Sequence, residues 1–375
     1  MDQFHQGYFI NEGTYHYFKP SEIDRRWEMK DTNLANLLAE ASNLVGKLDM
    51  FSKFVPNIDL FIRLHVVKEA TKSSKIEGTN TDLPEAVQSQ NQIRDERRDD
   101  WREVQNYVEA MNLAIEHLKK LPISSRLIKI AHKSILQGVR GARKEPGEFR
   151  RSQNWIGGMG ISSASFVPPP HIEIAGLMGD LEKFANSDET NLHPLVKVAL
   201  IHYQFETIHP FLDGNGRVGR LLITLYLVQQ KVLEKPLLYL SDFFERHKLE
   251  YYEKLMLVRK SGDLQAWITF FLAGIIETAK TSIGTLEGIL NLNRTVSEKI
   301  NTLRGRAENA QKVVEYLYVK PIVEVSEVTE IIGLSRPASY KLVDSLERIG
   351  ILKKWGDSKP QKYVFDDYLS LFMTE

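Results

Sequence analysis

The sequence of 375 residues contains no cysteine, no long apolar run and no excess of charge of either sign. The absence of cysteine excludes disulfides, thiol catalysis and zinc–thiolate sites, and it fits a reducing cytosol. The most apolar window, residues 267–276, is far shorter than the ~20 residues that a membrane span requires. With 49 basic and 49 acidic residues, the chain offers no bulk attraction to nucleic acid or anionic membrane. We therefore expect a soluble, cytoplasmic protein of two or three domains, without a signal peptide.

Residues 209–220 have the composition of a phosphate-binding site, with the sequence His-Pro-Phe-Leu-Asp-Gly-Asn-Gly-Arg-Val-Gly-Arg. Three glycines in this segment allow the backbone to approach a ligand closely. Asn215 can cap a helix that the following apolar residues predict, from about residue 215 to 233. The amides at the start of such a helix, together with its dipole, favour an anion. The glycines are Gly214, Gly216 and Gly219.

The charged side chains of the same segment supply the remaining groups. Arg217 and Arg220 are three residues apart, so on a helix they share a face and can both bind phosphate oxygens. Asp213 is a hard oxygen ligand of the kind that Mg²⁺ prefers. His209 can accept a proton near neutral pH, whereas His202 falls on an apolar helical stripe and is interpreted as a core residue. These groups are what the transfer of a phosphoryl or nucleotidyl group to a hydroxyl requires.

Apolar periodicity predicts a mainly α-helical protein. The first thirty residues, rich in aromatic side chains, are interpreted as an irregular arm packed on another element, and the densely charged residues 93–103 as a solvated helix face. Helices are predicted at about residues 32–50, 56–76, 93–115, 124–139, 173–185, 195–208, 215–233 and 250–255, followed by a buried helix at 267–276 and a linking helix at 277–303.

Residues 147–170 differ in composition and apolar pattern from the helical segments around them. Two short β-prone pieces, which contain Ile156 and Phe166–Val167, flank a tip rich in glycine and serine that begins at Gly157. This pattern predicts a β-hairpin. The hairpin is either a simple connection or a flap beside the site, with a free edge that can hold an extended peptide by strand addition.

The second predicted helix ends in Ser73-Ser74-Lys75-Ile76-Glu77-Gly78. Gly78 suits the position just past a helix end. Glu77 is either an ordinary surface residue of that cap or the partner of a cation, because a carboxylate in the last helical turn is otherwise mildly unfavourable.

Residues 209–220 resemble the signature of the Fic family, His-x-Phe-x-(Asp/Glu)-Gly-Asn-Gly-Arg-x-x-Arg, at every fixed position. The resemblance extends over about residues 70–290. Residues 73–78 are similar to the inhibitory motif of that family, (Ser/Thr)-x-x-x-Glu-(Gly/Asn), and their place resembles the subclass with an N-terminal inhibitory helix. The segment 147–170 is similar to the flap of the family, and Tyr251 and Tyr252 resemble a tyrosine pair near the adenine.

The resemblance implies a protein adenylyltransferase that uses ATP and Mg²⁺ to transfer AMP to a Ser, Thr or Tyr hydroxyl of a protein. By that analogy His209 is the base, Asp213 holds the metal, and residues 214–216 with Arg217 contact the phosphates. Arg220 would bind the γ-phosphate, and Glu77, in a motif that begins at Ser73, would pair with Arg220 and so inhibit. The target is a protein, possible targets include the chain itself, and a homodimer is a possible assembly.

Residues 305–375 resemble a winged-helix domain, with three helices and a hairpin. Residues 306–375 contain 10 basic and 11 acidic residues, a net charge of −1, which favours contact with protein over sequence-specific DNA binding. The predicted organisation is an N-terminal helical region (1–100), a catalytic core (101–290) and this domain. Alternatives are de-adenylylation or transfer of another phosphate-containing group, a DNA-binding regulator with a nucleotide-sensing core, and a metal-dependent hydrolase built on His202, His209 and Asp213.

Overall fold

Helices make up most of the computed structural model, which describes residues 5–28, 31–55, 58–356 and 359–373. The helices are α1 (Thr32–Ser52), α2 (Ile58–Ile76), α3 (Leu83–Ala86), α4 (Arg98–Leu118), α5 (Ser125–Ile135), α6 (Ile174–Asn186), α7 (Pro194–Ile208), α8 (Asn215–Gln229), α9 (Ser241–Arg246), α10 (Lys248–Ser261), α11 (Leu264–Asn301), α12 (Ala307–Val319), α13 (Val325–Ile332), α14 (Arg336–Arg348) and α15 (Asp366–Met373). The strands are β1 (Gly7–Asn11), β2 (His16–Pro20), β3 (Ile322–Glu324), β4 (Lys353–Trp355) and β5 (Lys362–Val364). The prediction of a mainly α-helical protein is confirmed.

Helices α7 and α8 lie at the centre of the larger part of the molecule. Every side chain of α7 from Leu195 to Ile208 is buried, and α8 is buried over most of its length. The indole N–H of Trp267 on α11 donates to the carbonyl of Ala199 at 2.9 Å, which ties α11 to the back of α7. Helices α2, α4, α5 and α6 pack around this pair. The loop that joins α7 to α8 is therefore anchored at both ends by buried helices.

The two helices predicted at 267–276 and 277–303 are one helix, α11, of 38 residues. Gly274 lies within it, and a Cβ there would come within 2.7 Å of the ring of Phe243. Packing against α9, rather than a break in the helix, thus explains this glycine. The predicted domain limits at residues 100 and 290 both fall inside helices, α4 and α11, and that division remains a prediction. Two other predicted helices are longer than the observed ones, since α5 ends at Ile135 and α8 at Gln229.

The described residues beyond 305 fold around a three-stranded antiparallel sheet in the order β3-β5-β4. Ile322 of β3 and Lys353 of β4 both pair with Val364 of the middle strand. Strand β3 and helix α15 were not predicted. The order helix, strand, two helices and hairpin fits the predicted resemblance to a winged helix, which stays a prediction. The sheet and helices contact α2 through Phe61, whose ring lies 5.0 Å from that of Tyr318.

The N-terminal arm contains a β-hairpin, so the prediction of an irregular segment is wrong for residues 7–20. Strands β1 and β2 are antiparallel, from the pair Gly7–Pro20 to the pair Asn11–His16. The turn between them is closed by the side chain of Asn11, which accepts a hydrogen bond from the amide of Gly13 at 2.7 Å. An Asx turn with glycine at a positive φ of 80° is a local signal, and the aromatic residues around it obscured it.

The helices of the described ranges include none that is both long and apolar enough to cross a membrane.

Candidate active site

Helix α7 ends at Ile208, and the residue after its end, His209, is followed by proline. Proline disfavours the helical conformation in the residue before it, and His209 adopts a left-handed backbone with φ 49° and ψ 59°. That conformation costs a non-glycine residue ~1–2 kcal/mol. The amide of His209 still donates to the carbonyl of Phe205 at 2.9 Å. The imidazole is thus held at the entrance of the α7–α8 loop by the last turn of a buried helix.

The imidazole of His209 is half-buried, and its Nδ1 has no hydrogen-bond partner among the described residues. Burial lowers the pKa of His209 to about 3, and the nearby guanidinium groups of Arg259 and Arg150 lower it further, against a small opposing effect of Glu77. The imidazole is therefore neutral at pH 7. A neutral imidazole can accept a proton, as predicted for the base.

Arg150 holds the backbone around His209, and the sequence analysis missed it. Its Nε donates to the carbonyl of His209 at 3.0 Å, and its amide donates to the carbonyl of Pro210 at 2.9 Å. A further guanidinium N–H donates to the carbonyl of Ser152 at 3.0 Å. Arg150 is 2% exposed, and burial lowers its pKa to about 10. Arg150 thereby ties the start of the 147–170 segment to the α7–α8 loop.

Asn215 determines the shape of the loop between the two helices. Its Oδ1 accepts from the amide of Phe211 at 2.8 Å, and its Nδ2 donates to the carbonyl of Phe211 at 2.8 Å. The prediction that Asn215 caps α8 is wrong, since the cap residue is Gly214, with φ 76°, and Asn215 is the first residue of the helix. Both polar atoms of its side chain bind Phe211, so any contact of Asn215 with a phosphate must come from its backbone.

His132 supports the loop from α5 and was also missed. Its Nδ1 accepts from the amide of Gly147 at 2.9 Å, so the proton must be on Nε2, which donates to the carbonyl of Asp213 at 3.0 Å. The ring stacks on that of Phe211, with 3.7 Å between centroids. Burial lowers the pKa of His132 to about 4, which keeps this tautomer neutral. The carboxylate of Asp213 stays 41% exposed and is therefore accessible to a ligand.

Arg217 is placed by an acidic residue that the sequence analysis assigned to a solvated surface. Its guanidinium binds Glu103 of α4 at 3.1 Å and lies 3.5 Å from Asp213, and both Arg217 and Glu103 are 5% exposed at the side chain. The other oxygen of Glu103 binds Arg140 at 2.8 Å. The prediction for residues 93–103 is wrong at this position, because α4 starts only at Arg98 and turns Glu103 toward α8. The Nε of Arg217 is buried and has no hydrogen-bond partner among the described residues.

Glu77 and Arg220 form an ion pair at the start of α8. The guanidinium of Arg220 donates to Oε1 of Glu77 at 2.7 Å, and to the hydroxyl and carbonyl of Ser73 at 2.8 and 2.9 Å. A Cβ on Gly216 would come within 2.3 Å of the same carboxylate oxygen. The carboxylate of Glu77 thus lies against the helix terminus where an anion is favoured. Gly216 has no side chain to prevent this approach.

Glu77 and Arg220 each stabilise the charged form of the other. Burial alone would raise the pKa of Glu77, but Arg220 lowers it below its ordinary value, with a smaller contribution from Arg217. Gly78 follows with φ 100°, the conformation expected just past a helix end. Lys248 donates to the carbonyl of Ile76 at 2.6 Å and so provides the cation at the end of α2.

His202 and Tyr251 form a buried hydrogen-bonded pair behind α8. The carbonyl of Gly219 can only accept, so Nδ1 of His202 donates to it at 3.0 Å, and Nε2 accepts from the hydroxyl of Tyr251 at 2.8 Å. Both nitrogens of His202 are used, which excludes it as a metal ligand and supports its interpretation as a core residue. Tyr251 is 1% exposed. Tyr252 is 41% exposed, so of the two only this ring is open to a ligand.

Glu206 is a second carboxyl group near the pair of Glu77 and Arg220, and the sequence analysis did not identify it. A Cβ on Gly219 would come within 2.3 Å of its Oε1, and that oxygen has no hydrogen-bond partner among the described residues. Burial raises the pKa of Glu206 to about 7, although Arg220 opposes the rise. The close approach of α7 and α8 at Gly219 explains why this position of the motif is glycine.

The flap is smaller than the predicted hairpin. A single antiparallel bridge joins Ile156 to Phe166, because the proline run from residue 168 supplies no amide donors to extend the pairing. Gly157 has φ 70° and turns the chain toward an exposed tip. One edge is also occupied, since the carbonyl of Val167 accepts from the amide of Phe18 on β2 at 2.9 Å. The N-terminal hairpin therefore covers part of the edge that was predicted to be free.

These elements define a class of protein: a helical domain with a neutral histidine and a helix terminus suited to an anion on one buried helix–loop–helix. A model described as "Fic/DOC family N-terminal" matches residues 35–116, and one described as "Fic/DOC family" matches residues 122–227. Together they match just over half of the chain. The chain belongs to the Fic/DOC family.

Relatives and solved structures agree with this assignment. "Protein adenylyltransferase Fic" of Drosophila grimshawi is 34% identical over 171 residues, which are 44% of this chain and 32% of that protein. The protein of the same name from Drosophila melanogaster is 32% identical over an equal share of each chain. The chain thus spans about a third of the length of these relatives.

Two structures share the fold. A Fic family protein from Desulfovibrio desulfuricans has a TM-score of 0.58 and 21% identity over 91% of this chain and 98% of the other. Fic-1 from C. elegans has a TM-score of 0.53 and 20% identity over 70% and 74% of the two chains.

Proposed function

We propose that the protein transfers AMP from ATP to a hydroxyl group of a protein and that Glu77 restrains this activity. The observation that carries the proposal is the position of one carboxylate. Glu77 binds Arg220 at 2.7 Å at the terminus of α8, beside a neutral His209. The names of the relatives support the reaction, since both are called protein adenylyltransferases.

In this reaction the oxygen of the acceptor hydroxyl forms a bond to the α-phosphorus of ATP. The bond from that phosphorus to the oxygen bridging the α- and β-phosphates breaks, and pyrophosphate leaves. His209 accepts the hydroxyl proton, because its lowered pKa leaves the imidazole neutral at pH 7. Arg150 acts as a positioning residue because it holds the His209 carbonyl at 3.0 Å.

The phosphates would be bound by the backbone of residues 214–216 and by Arg217 and Arg220. The described residues contain no group of three or more ligating side chains for a metal, but Mg²⁺ in nucleotide sites uses one or two carboxylates together with phosphates and water. The exposed carboxylate of Asp213 fits that role. Bound there, Mg²⁺ would neutralise charge on the phosphates.

Glu77 would inhibit by occupying Arg220. A γ-phosphate that reached Arg220 would meet a carboxylate already bound there, and like charges at that distance repel. ATP must then displace Glu77 from Arg220 before its leaving group is correctly oriented, which weakens ATP binding and slows the reaction. Movement of Glu77 away from Gly216 would free both the helix terminus and the arginine.

The experiment is incubation of the purified protein with ATP labelled at the α-phosphate and Mg²⁺. We expect weak labelling of protein by the wild type, stronger labelling by Glu77→Gly and none by Glu77→Gly combined with His209→Ala. His117→Ala, a change at an exposed histidine of α4, is the matched control and should label as its parent. Equal labelling by the His209 variant would refute the assignment of the base.

A second candidate function is removal of AMP from a modified protein. It is favoured by one observation: Oε1 of Glu77 binds Arg220, whereas Oε2 receives no hydrogen bond from any described residue. A carboxylate oxygen that is open to solvent can orient a water molecule for attack. Incubation of an adenylylated protein with the wild type and Glu77→Gln distinguishes the two reactions, because only hydrolysis requires Glu77.

We further propose that the target protein docks at the flap along the edge that contains Ile156, because Phe18 occupies the edge that contains Val167. We also propose that Tyr252 contacts the adenine.

The cysteine-free composition fits a cytoplasmic location, and a homodimer is a possible assembly. Residues 305–375, which resemble a winged helix, would contact protein rather than DNA because residues 306–375 have a net charge of −1. A gel-shift titration across salt concentrations tests this, since specific DNA binding with a steep salt dependence would contradict it.

A further inference from the structure

Arg259 on α10 is a buried cation that contacts both the flap and the last turn of α7. It is 4% exposed. Its Nε donates to the hydroxyl of Thr207 at 3.1 Å, and Thr207 precedes the candidate base His209 by two residues. Its guanidinium carbon lies over the ring of Phe166, 3.8 Å from the ring centroid. One side chain therefore joins α10, the end of α7 and the flap.

Packing alone does not require a charge at this position. The described residues place no carboxylate within ion-pair distance of Arg259, whose other polar contact is the sulfur of Met256 at 3.4 Å. Burial lowers the pKa of Arg259, and Tyr203 and Glu206 oppose that effect without cancelling it. A buried charge is costly unless an interaction offsets it. The face of the Phe166 ring supplies such an interaction, because cation–π contacts are stronger when both groups are desolvated.

Phe166 is the residue through which this contact reaches the docking edge of the flap. Its ring is 3% exposed, and its backbone forms the bridge to Ile156, which lies on the edge proposed to bind the target. The amide of Ile156 donates to the carbonyl of Phe166 at 2.8 Å. Pairing this short is marginal unless side chains pack beneath it. The position of the edge therefore depends on what holds the Phe166 ring.

We propose that Arg259 is a positioning residue that fixes the docking edge of the flap relative to His209. Its guanidinium holds Phe166 in the flap and Thr207 in the helical turn before His209, so a hydroxyl presented along the edge reaches the imidazole in a fixed geometry. Arginine suits this role because its planar group can stack on a ring while its edge donates a hydrogen bond, which a lysine ammonium cannot do. The consequence for catalysis rests on the proposed transfer to a protein hydroxyl, whereas the contact itself can be tested without that reaction.

The first test is amide hydrogen exchange of the full-length protein, measured by mass spectrometry on peptides that cover residues 154–168. Arg259→Met keeps the length of the side chain and removes the charge, and these peptides should exchange about tenfold faster than in the wild type. Exchange of α8 and α11 should not change. Arg259→Lys keeps the charge and should lie between the two. Lys260→Met removes the exposed cation that follows in the chain and should match the wild type.

Two results would overturn the proposal. One is equal exchange of the flap in the wild type and Arg259→Met. The other is recovery of slow exchange when Arg259→Met is combined with Glu206→Gln, because Arg259 would then merely balance the charge of Glu206. If Arg259→Met does not fold, Phe166→Leu decides, since it keeps most of the apolar volume but removes the aromatic face. It should accelerate exchange of the flap alone, and exchange at the wild-type rate would overturn the proposal.

The second test measures transfer in the Glu77→Gly background, with ATP labelled at the α-phosphate and dialysed cell lysate as the source of acceptor proteins. Arg259→Met should slow labelling by about tenfold, because the hydroxyl is misplaced, and Arg259→Lys should recover part of the rate. ATP affinity by titration should not change, because Arg259 contacts Thr207, Met256 and Phe166 rather than the α8 terminus. Labelling at the parent rate would overturn the role in catalysis. Absence of labelling by Glu77→Gly itself would contradict adenylyl transfer and leave the exchange result standing, so the two proposals can fail separately.

Discussion

Replacement of Glu77 by glycine should increase the affinity for ATP more than the affinity for ADP. The variant removes the carboxylate from Arg220 and Gly216 and leaves the hydrogen bonds from Arg220 to Ser73. ADP has no γ-phosphate and does not need Arg220. The comparison of the two nucleotides therefore isolates the contact that Glu77 is proposed to block.

The size of the effect follows from the ion pair itself. A charge-assisted hydrogen bond such as that between Glu77 and Arg220 is worth ~1.5–3 kcal/mol. The arginine is 2% exposed, but the glutamate side chain is 35% exposed, so screening by solvent reduces the value to ~1–2 kcal/mol. ATP that displaces Glu77 must overcome this amount, which corresponds to about 5- to 30-fold in affinity.

The assay is a calorimetric titration of ATP and of ADP, each with Mg²⁺, into the wild type and the variant. Glu77→Gln, which loses the charge but keeps most of the volume, should lie between the wild type and Glu77→Gly. Glu116→Gln removes an exposed glutamate of α4 and serves as the control. The reasoning is refuted if ATP affinity is equal in the wild type and Glu77→Gly, or if ADP affinity rises as much as ATP affinity.

Three further changes should have distinct effects. His209→Ala in the Glu77→Gly background should reduce labelling by at least about 100-fold, the usual loss on removal of a general base, with no change in ATP affinity by titration. Asn215→Ala leaves the backbone groups of Phe211 unsatisfied and should cost ~2 kcal/mol in the free energy of unfolding, measured by chemical denaturation. Glu206→Gln should flatten the dependence of stability on pH between about 4.5 and 7. In the wild type the folded protein holds this proton with a raised pKa, so stability falls by on the order of 3 kcal/mol as pH rises through that window. Equal slopes of stability against pH in that window would contradict the last expectation.

Residues 209–220, the α7–α8 loop and the start of α8, could be predicted as a candidate site from the sequence because they are contiguous. His209, Asp213, Arg217 and Arg220 lie within twelve residues, and helical spacing alone places the two arginines on one face. Glu77 lies 143 residues from Arg220, so its partner could be proposed only from the resemblance of its motif. The structure contains that ion pair, and its inhibitory role remains a prediction.

The supporting residues could not be predicted because their roles depend on long-range packing. Arg150, His132 and Glu103 act on the loop from elements 59, 81 and 114 residues away along the chain. Nothing in their local sequence distinguishes them from surface residues. Glu103 even lies in a run of mixed charges that is typical of a solvated helix, and only the packing of α4 on α8 buries it.

Short β-structure was the least predictable part of the fold. The N-terminal hairpin was missed because aromatic residues fill both of its strands, and the flap was overestimated because proline and tertiary contacts limit its pairing. The bond from Phe18 to Val167 joins these two segments, and no sequence pattern indicates a contact between residues so far apart.

The most direct test of adenylyl transfer is labelling of protein by Glu77→Gly with ATP that carries the label at either the α- or the γ-phosphate, followed by mass spectrometry of the product. We predict incorporation from the α-position only, with the mass of one adenylyl group on a hydroxyl side chain. Incorporation from the γ-position, or no incorporation from either, would contradict the proposed reaction.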